Sequence, residues 1–190
     1  IAPSLVGSEM CIRDRLGVDR LNDEQRKNGV ATFSGGNHAL AVSWASRQCG
    51  VSAKVIMPQT ADPIRISGCE EMGAEVILTD DIASASEILQ EIAKVESRTI
   101  LHPFNDLNMA YGAASCGAEF IEDMPEADVF IIPVGGGGLI AGMAAAIKHF
   151  NPAIKVIGVE PQGANSLRRS FLSGRPETLD KVQTIADSLG

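Results

Sequence analysis

The chain reads as an α/β protein in which a mostly parallel sheet is covered by helices. Three observations carry that reading. Short runs of Val, Ile and Leu recur along the chain, and most are continuous apolar stretches rather than alternating ones. That composition suits strands buried on both faces. Segments with helical spacing separate them, so that strand follows strand at about 20 to 30 residues, the length of one βα unit. Twice, a strand-like run passes through a glycine-rich turn directly into a helical pattern.

In order, residues 23–27 read as a short helix capped by Asn22 or Asp23. Residues 30–33 form the first strand, and residues 39–49 the helix that follows its turn. Gly50 stops that helix before a strand at 54–57, and Gly73 stops another before a strand at 75–78, each as a left-handed cap. Residues 83–97 set Ala85, Ile88, Leu89 and Ile92 on one face, with Glu87, Gln90, Glu91 and Lys94 opposite. This is a surface helix with one apolar stripe. Strands follow at 99–101, 129–134 and 155–159. Between the last two, residues 139–150 (LIAGMAAAIKHF) are apolar and small, so the helix packs closely on a sheet, and Asn151-Pro152 ends it. Met109, Met124 and Met143 read as core filler. Residues 1–15 (IAPSLVGSEMCIRDR) show no period and no turn logic. They are set apart from the fold, as an artefactual stretch or an irregular arm.

The 190 residues are 45% hydrophobic, 21% charged and 4% aromatic. That balance excludes disorder, collagen and coiled coil as the main state. The net charge of −8 argues against nucleic-acid and anionic-membrane partners. No apolar run reaches the ~18 residues of a membrane span, and no signal-peptide pattern opens the chain. Cys11, Cys49, Cys69 and Cys116 form no CxxC pair and no zinc-spaced cluster with histidine. Scattered thiols of this kind suit a reducing cytoplasm.

The strongest chemical signal is Gly135-Gly136-Gly137-Gly138-Leu139, between a buried strand and a helix. Without Cβ atoms the backbone approaches a ligand closely and adopts positive φ. Its amides and the helix N-terminus together make a nest for an anion, phosphate above all. No Gly-Lys-Ser/Thr follows, and GxGxxG is not matched, which excludes the Walker and dinucleotide loops. Ser34-Gly35-Gly36-Asn37-His38 is the second such turn. It suits a carboxylate or a ring hydroxyl, and ligands in open α/β sheets bind at this C-terminal strand edge. His38 reads as a residue that orients the turn or packs beneath it, and His102 and His149 have no catalytic partner nearby in sequence. No catalytic triad, paired-carboxylate pattern or HExxH occurs.

Taken together, FSGGNHALAVSWA, KVIMP, GAEVIL, IIPVGGGGLIAGMAAAIK, VIGVEP and TIADSLG resemble the threonine dehydratase and serine racemase branch of the fold-type II pyridoxal 5′-phosphate enzymes. The resemblance runs from about residue 21 to the last residue. It implies that Gly135, Gly136, Gly137, Gly138 and Leu139 cradle the cofactor phosphate, and that Asn37 bonds its ring hydroxyl. Ser34, Gly35, Gly36 and His38 would form the turn that grips the substrate carboxylate. The implied reaction removes water and ammonia from L-threonine or L-serine and leaves a 2-oxo acid. The implied division is a smaller domain at 16–107 and part of the cofactor-binding domain at 108–190. The implied whole is a cytoplasmic homo-oligomer.

Three positions depart from the pattern. The branch's Schiff-base lysine would fall near Met10, whereas the first lysine is Lys27. On this reading the chain is an interior piece of a longer enzyme and is inactive alone. Gly35 stands where serine racemases carry a serine, which favours a dehydratase over a racemase. A hydroxyaspartate dehydratase of the same branch, or a non-catalytic phosphate-binding module, would also be compatible with these residues. Glu160 matches a divalent-cation ligand of some members and the Ala164 carbonyl another, but Ser166 replaces an expected acidic ligand.

Overall fold

The structure is a computed structural model, and it describes residues 9–80, 82–179 and 181–186. The chain divides into two compact units, with the boundary between Asn108 and Met109.

In the first unit four parallel strands lie in the order β3-β2-β1-β4: β1 (Val30–Phe33), β2 (Ala53–Pro58), β3 (Glu75–Thr79) and β4 (Thr99–Ile100). Helices α1 (Glu9–Asp19), α2 (Asp23–Asn28), α3 (Asn37–Cys49), α4 (Pro63–Glu71) and α5 (Ile82–Glu96) connect and cover them. Val30, Val55 and Met57 point into a core shared with Val18 of α1, Val42 and Ala45 of α3, and Cys69 of α4. Ala31 and Ile56 point the other way, onto Ala85 and Leu89 of α5. Two-sided burial of β1 and β2 is the reason these strands are apolar without alternation.

The local signals act as their chemistry requires. Asn22 and Gln25 form a reciprocal capping box at the start of α2. Gly50 ends α3 in the left-handed conformation (φ 65°, ψ 28°). Residues 9–15, set apart from the fold by the sequence, form the first part of α1, which packs against α3.

A polar network closes the edge where the strands begin. Lys54 Nζ donates to Glu96 Oε1 at 2.6 Å and lies 3.2 Å from Glu75. Arg98 Nε donates to Glu96 Oε2 at 2.7 Å. The bond from Lys54, then that from Arg98, holds the Glu96 carboxyl below its ordinary range. Its contribution to stability is therefore complete above the ordinary glutamate value of about 4.3 and is lost as pH falls through the depressed one. Wild type should be more stable than Glu96→Gln at neutral pH, with the gap closing as pH falls. Urea titrations across that range would measure it, and a constant gap would contradict it.

In the second unit α6 (Leu107–Asp123) precedes a two-stranded parallel sheet of β5 (Val129–Pro133) and β6 (Lys155–Val159). α7 (Gly138–Phe150) joins the two strands, and a short 3-10 turn (Gln162–Ala164) leads to α8 (Ser166–Ser173). Phe130 and Ile132 pack with Met143 and Ile147 of α7 and with Ile154. Burial on both faces does not hold here. Val129, Ile131, Ile157 and Val159 are between 42% and 68% exposed, because α6 and α7 both lie on the opposite face. An apolar run cannot distinguish these two situations. Met124 is also not core: it is 40% exposed, just past the end of α6, while Met109 and Met143 are buried. α7 packs on its sheet as its small residues suggest, and equally closely against α6. A Cβ on Gly117 would lie 2.9 Å from Met143 Cα, and one on Gly142 would lie 2.7 Å from Ala113 Cβ.

Among the described residues no helix is long and apolar enough to cross a membrane. Cys49, Cys69 and Cys116 are not in disulfides.

Candidate functional site

Each unit presents one glycine turn at the C-terminal end of a parallel strand. In the first unit, Ser34 N donates to Ile56 O at 3.0 Å, one residue beyond the end of β1. Ser34 Oγ accepts the Gly36 amide at 3.1 Å, and Arg65 of α4 donates to Gly35 O at 3.2 Å. The turn is therefore tied on both sides. Gly36 caps α3 with no side-chain bond, and the first turn of the helix carries no acidic residue. The amides of Gly35, Asn37 and His38 have no acceptor among the described residues, and the Asn37 side chain is exposed without a hydrogen bond. A carboxamide thus stands beside a cluster of open donors at a positive helix end.

The His38 ring turns the other way. It is 2% exposed, with Nε2 2.9 Å from Thr32 Oγ1 and 3.3 Å from Leu101 O. Nδ1 lies 2.8 Å from Oδ1 of the fully buried Asp14. His38 can offer a ligand only its backbone amide. Its side chain lies among Thr32 of β1, Leu101 just after β4 and Asp14 of α1.

His102 follows β4 at the same edge. Its Nδ1 accepts the amides of Asn105 (3.0 Å) and Phe104 (3.3 Å), which assigns its proton to Nε2. Its ring meets Phe33 and Phe104 edge-on. Burial, and then the neighbouring His38, hold it below the ordinary histidine value.

In the second unit, Val134 N donates to Val159 O at 2.9 Å, and the chain then leaves the sheet as the glycine run. Gly137 has φ 88° and ψ −10°, and the helix starts at Gly138. The first helical bond beyond the turn is from Ala141 N to Gly137 O at 3.0 Å. The amides from Gly135 to Ile140 have no acceptor among the described residues, and no acidic residue lies in the first turn. At Gly137 the corner is open among the described residues. A Cβ added at Gly137 would meet only Leu167 Cδ1, at 3.9 Å. Open amides at a helix N-terminus are the kind of donor set that suits an anion.

Glu160 and Ala164 are held within the fold as follows. Glu160 accepts the amides of Leu167 (2.8 Å) and Arg168 (2.9 Å), one on each oxygen, and so caps α8. Ala164 is buried in the 3-10 turn. A hard divalent cation takes six or more oxygens, and among the described residues no group of three or more His, Cys, Asp or Glu could hold a metal.

The sequence located every residue of both turns but missed their supports. Arg65, Leu101 and His102 reach the asparagine turn only through the fold. Thr32 carried a signal, as the one polar residue in an apolar strand. The six lysines all lie outside both turns. Lys27 is exposed on α2, Lys54 lies at the opposite sheet edge, and Lys94 is in the last turn of α5. Lys148 closes the end of α7, Lys155 starts β6, and Lys181 is exposed.

A family model described as pyridoxal-phosphate dependent enzyme matches residues 9–190. The phenylserine dehydratase of Ralstonia pickettii is 43% identical over 169 residues, covering 89% of this chain and 52% of that protein. The L-threonine ammonia-lyase of Thermotoga maritima is 39% identical over 173 residues, covering 90% of this chain and 43% of that protein. The chain spans about half the length of the curated relatives it matches. Among solved structures, maize serine racemase superposes with a TM-score of 0.89 at 34% identity, over 95% of this chain and 55% of that one.

Proposed function

The chain belongs to the family of pyridoxal-phosphate dependent enzymes, and from that premise we propose that it holds and orients the cofactor of a β-hydroxy-amino-acid ammonia-lyase. The single observation that carries this is the run of amides from Gly135 to Leu139 with no acceptor among the described residues, left-handed and uncrowded at Gly137.

Those amides donate to the phosphate. The Asn37 carboxamide bonds the ring hydroxyl. The amides of Gly35, Asn37 and His38, with Ser34, take the substrate carboxylate. Both turns place a helix N-terminus toward negative charge, so binding and orientation come from fixed dipoles that need no reorganisation. When bound, the cofactor supplies an electron sink at the substrate's α-carbon. Loss of the β-hydroxyl as water and of the amino group as ammonia leaves a 2-oxo acid. Phenylserine, threonine and serine, the substrates named in the relatives, share a hydroxyl on the β-carbon. That supports the substrate class. Glycine at 35 brings no proton-carrying group to its place in the turn, which favours elimination over inversion at the α-carbon.

Covalent anchoring is a different matter. With each lysine engaged or exposed elsewhere, the chain by itself binds the cofactor without turnover. The test uses pyridoxine 5′-phosphate, which has the ring hydroxyl and phosphate but no aldehyde to react with surface lysines. Equilibrium dialysis should show binding that inorganic phosphate displaces, and an affinity for unphosphorylated pyridoxine about 100-fold weaker. Equal affinity for both would remove the phosphate assignment. With pyridoxal 5′-phosphate and L-threonine the chain should release no 2-oxo acid, and release would overturn the non-catalytic reading.

A further inference from the structure

The buried His38 ring invites a more specific question than the turn above it. Thr32 Oγ1 donates its only hydrogen to Leu101 O at 2.7 Å. It can therefore meet His38 Nε2, 2.9 Å away, only as an acceptor. The carbonyl of Leu101 accepts as well, and it is 3.3 Å from the same nitrogen. Both neighbours present acceptors to Nε2, so this side of the ring donates. Every member of this group is buried: Thr32 is 0% exposed and His38 2%.

The consequence is positional. His38 is the second residue of α3, and Asn37 the first. Gly36, which caps the helix, has no side chain to fix its entry. The ring bond through Nε2 is what ties this first turn to β1 and to the residue after β4. On the far side of the ring, Asp14 of α1 faces Nδ1 at 2.8 Å, yet neither of its oxygens has a hydrogen-bond partner. His102 and Asp106 are the other titratable groups near this edge, and they act on each other through charge.

We infer that His38 is a positioning residue for Asn37, acting through the Nε2–Thr32–Leu101 bonds rather than through Asp14. This deepens the reading of Asn37 as the contact to the cofactor's ring hydroxyl, and it depends on that reading. A ring free to turn would let the first turn of α3 rotate, and the carboxamide would lose its direction while the amides stayed in place.

The experiment measures pyridoxine 5′-phosphate affinity by equilibrium dialysis on the full chain. It also follows the Asn37 side-chain amide by ¹H–¹⁵N NMR as the probe is added. Asn37→Ala tests the underlying reading and should weaken binding. Thr32→Val keeps the shape and removes the hydroxyl. It should weaken binding about fivefold, the equivalent of one ordinary hydrogen bond, and abolish the probe-induced shift of the Asn37 amide. Thr32→Ser restores the hydroxyl and should restore both. Asp14→Ala should leave affinity within about twofold. In that background His38→Leu, which then strands no buried carboxylate, should match or exceed the loss in Thr32→Val. If Asn37→Ala weakens binding but Thr32→Val leaves both readouts at wild type, the positioning role is wrong and the Asn37 contact stands. If Asn37→Ala has no effect, both fall. A loss in Asp14→Ala as large as that in Thr32→Val would overturn the assignment to the Nε2 side.

Discussion

Replacing Gly137 by valine should reduce affinity for a phosphorylated ligand on the order of 100-fold. The cause is conformational. Gly137 sits at φ 88°, where a β-branched residue is strained by about 1–3 kcal/mol. Relaxing that strain rotates the adjoining peptides, so the amides flanking the turn no longer converge on one point. Crowding is a minor part, because a Cβ there meets only Leu167 Cδ1 at 3.9 Å. Gly137→Asn separates the two causes, since asparagine tolerates the left-handed region while adding a side chain. It should retain affinity to within about tenfold of wild type. Dialysis with pyridoxine 5′-phosphate measures both variants. A valine variant that binds as tightly as wild type would show that the corner does not hold the phosphate.

The second large effect is on folding. Gly142→Leu should destabilise the second unit by about 3 kcal/mol. A Cβ at 142 would meet the Ala110 carbonyl, Ala113 Cβ at 2.7 Å and Ala114 N at 2.8 Å. These are backbone and Cβ atoms that no side-chain rotation moves aside. α6 and α7 must separate, and α7 carries the glycine turn at its N-terminus. The single tryptophan, Trp44, lies in α3 of the first unit. Its fluorescence therefore reports that unit, whereas far-UV circular dichroism reports both. In urea the dichroism transition should shift to lower concentration while the Trp44 transition holds. Coincident, unshifted transitions would mean that the helices accommodate the side chain.

Much of this was legible in the chain before folding. β2, β3, β5 and β6 appear where runs rich in Val and Ile appear, because a strand with a buried face favours such residues. Gly50 and the capping pair Asn22–Gln25 act within a few residues of themselves, so their positions could be read directly. The helix starts were less sharp. α3 begins at Asn37, two residues before the apolar pattern at Ala39, because Gly36 caps it through backbone geometry alone. The two glycine turns were visible for a related reason: a ligand approached by bare amides needs glycine at consecutive positions, and that is a local demand.

What sequence order could not supply was adjacency. Thr32 and His38 are six residues apart, but their third partner, Leu101, is 69 residues from Thr32. The order β3-β2-β1-β4 follows from crossover connections that no single segment encodes. That both oxygens of Glu160 accept amides of α8 is another pairing that no local signal shows. Val129 and Ile131 read the same as Val55 and Ile56, yet the first pair is exposed and the second buried. Hydrophobicity, helix caps and backbone permissiveness belong to the residue and its near neighbours, and can be read along the chain. Which faces are covered, and which polar atoms meet, depends on the packing of distant segments, and exists only once the chain has folded.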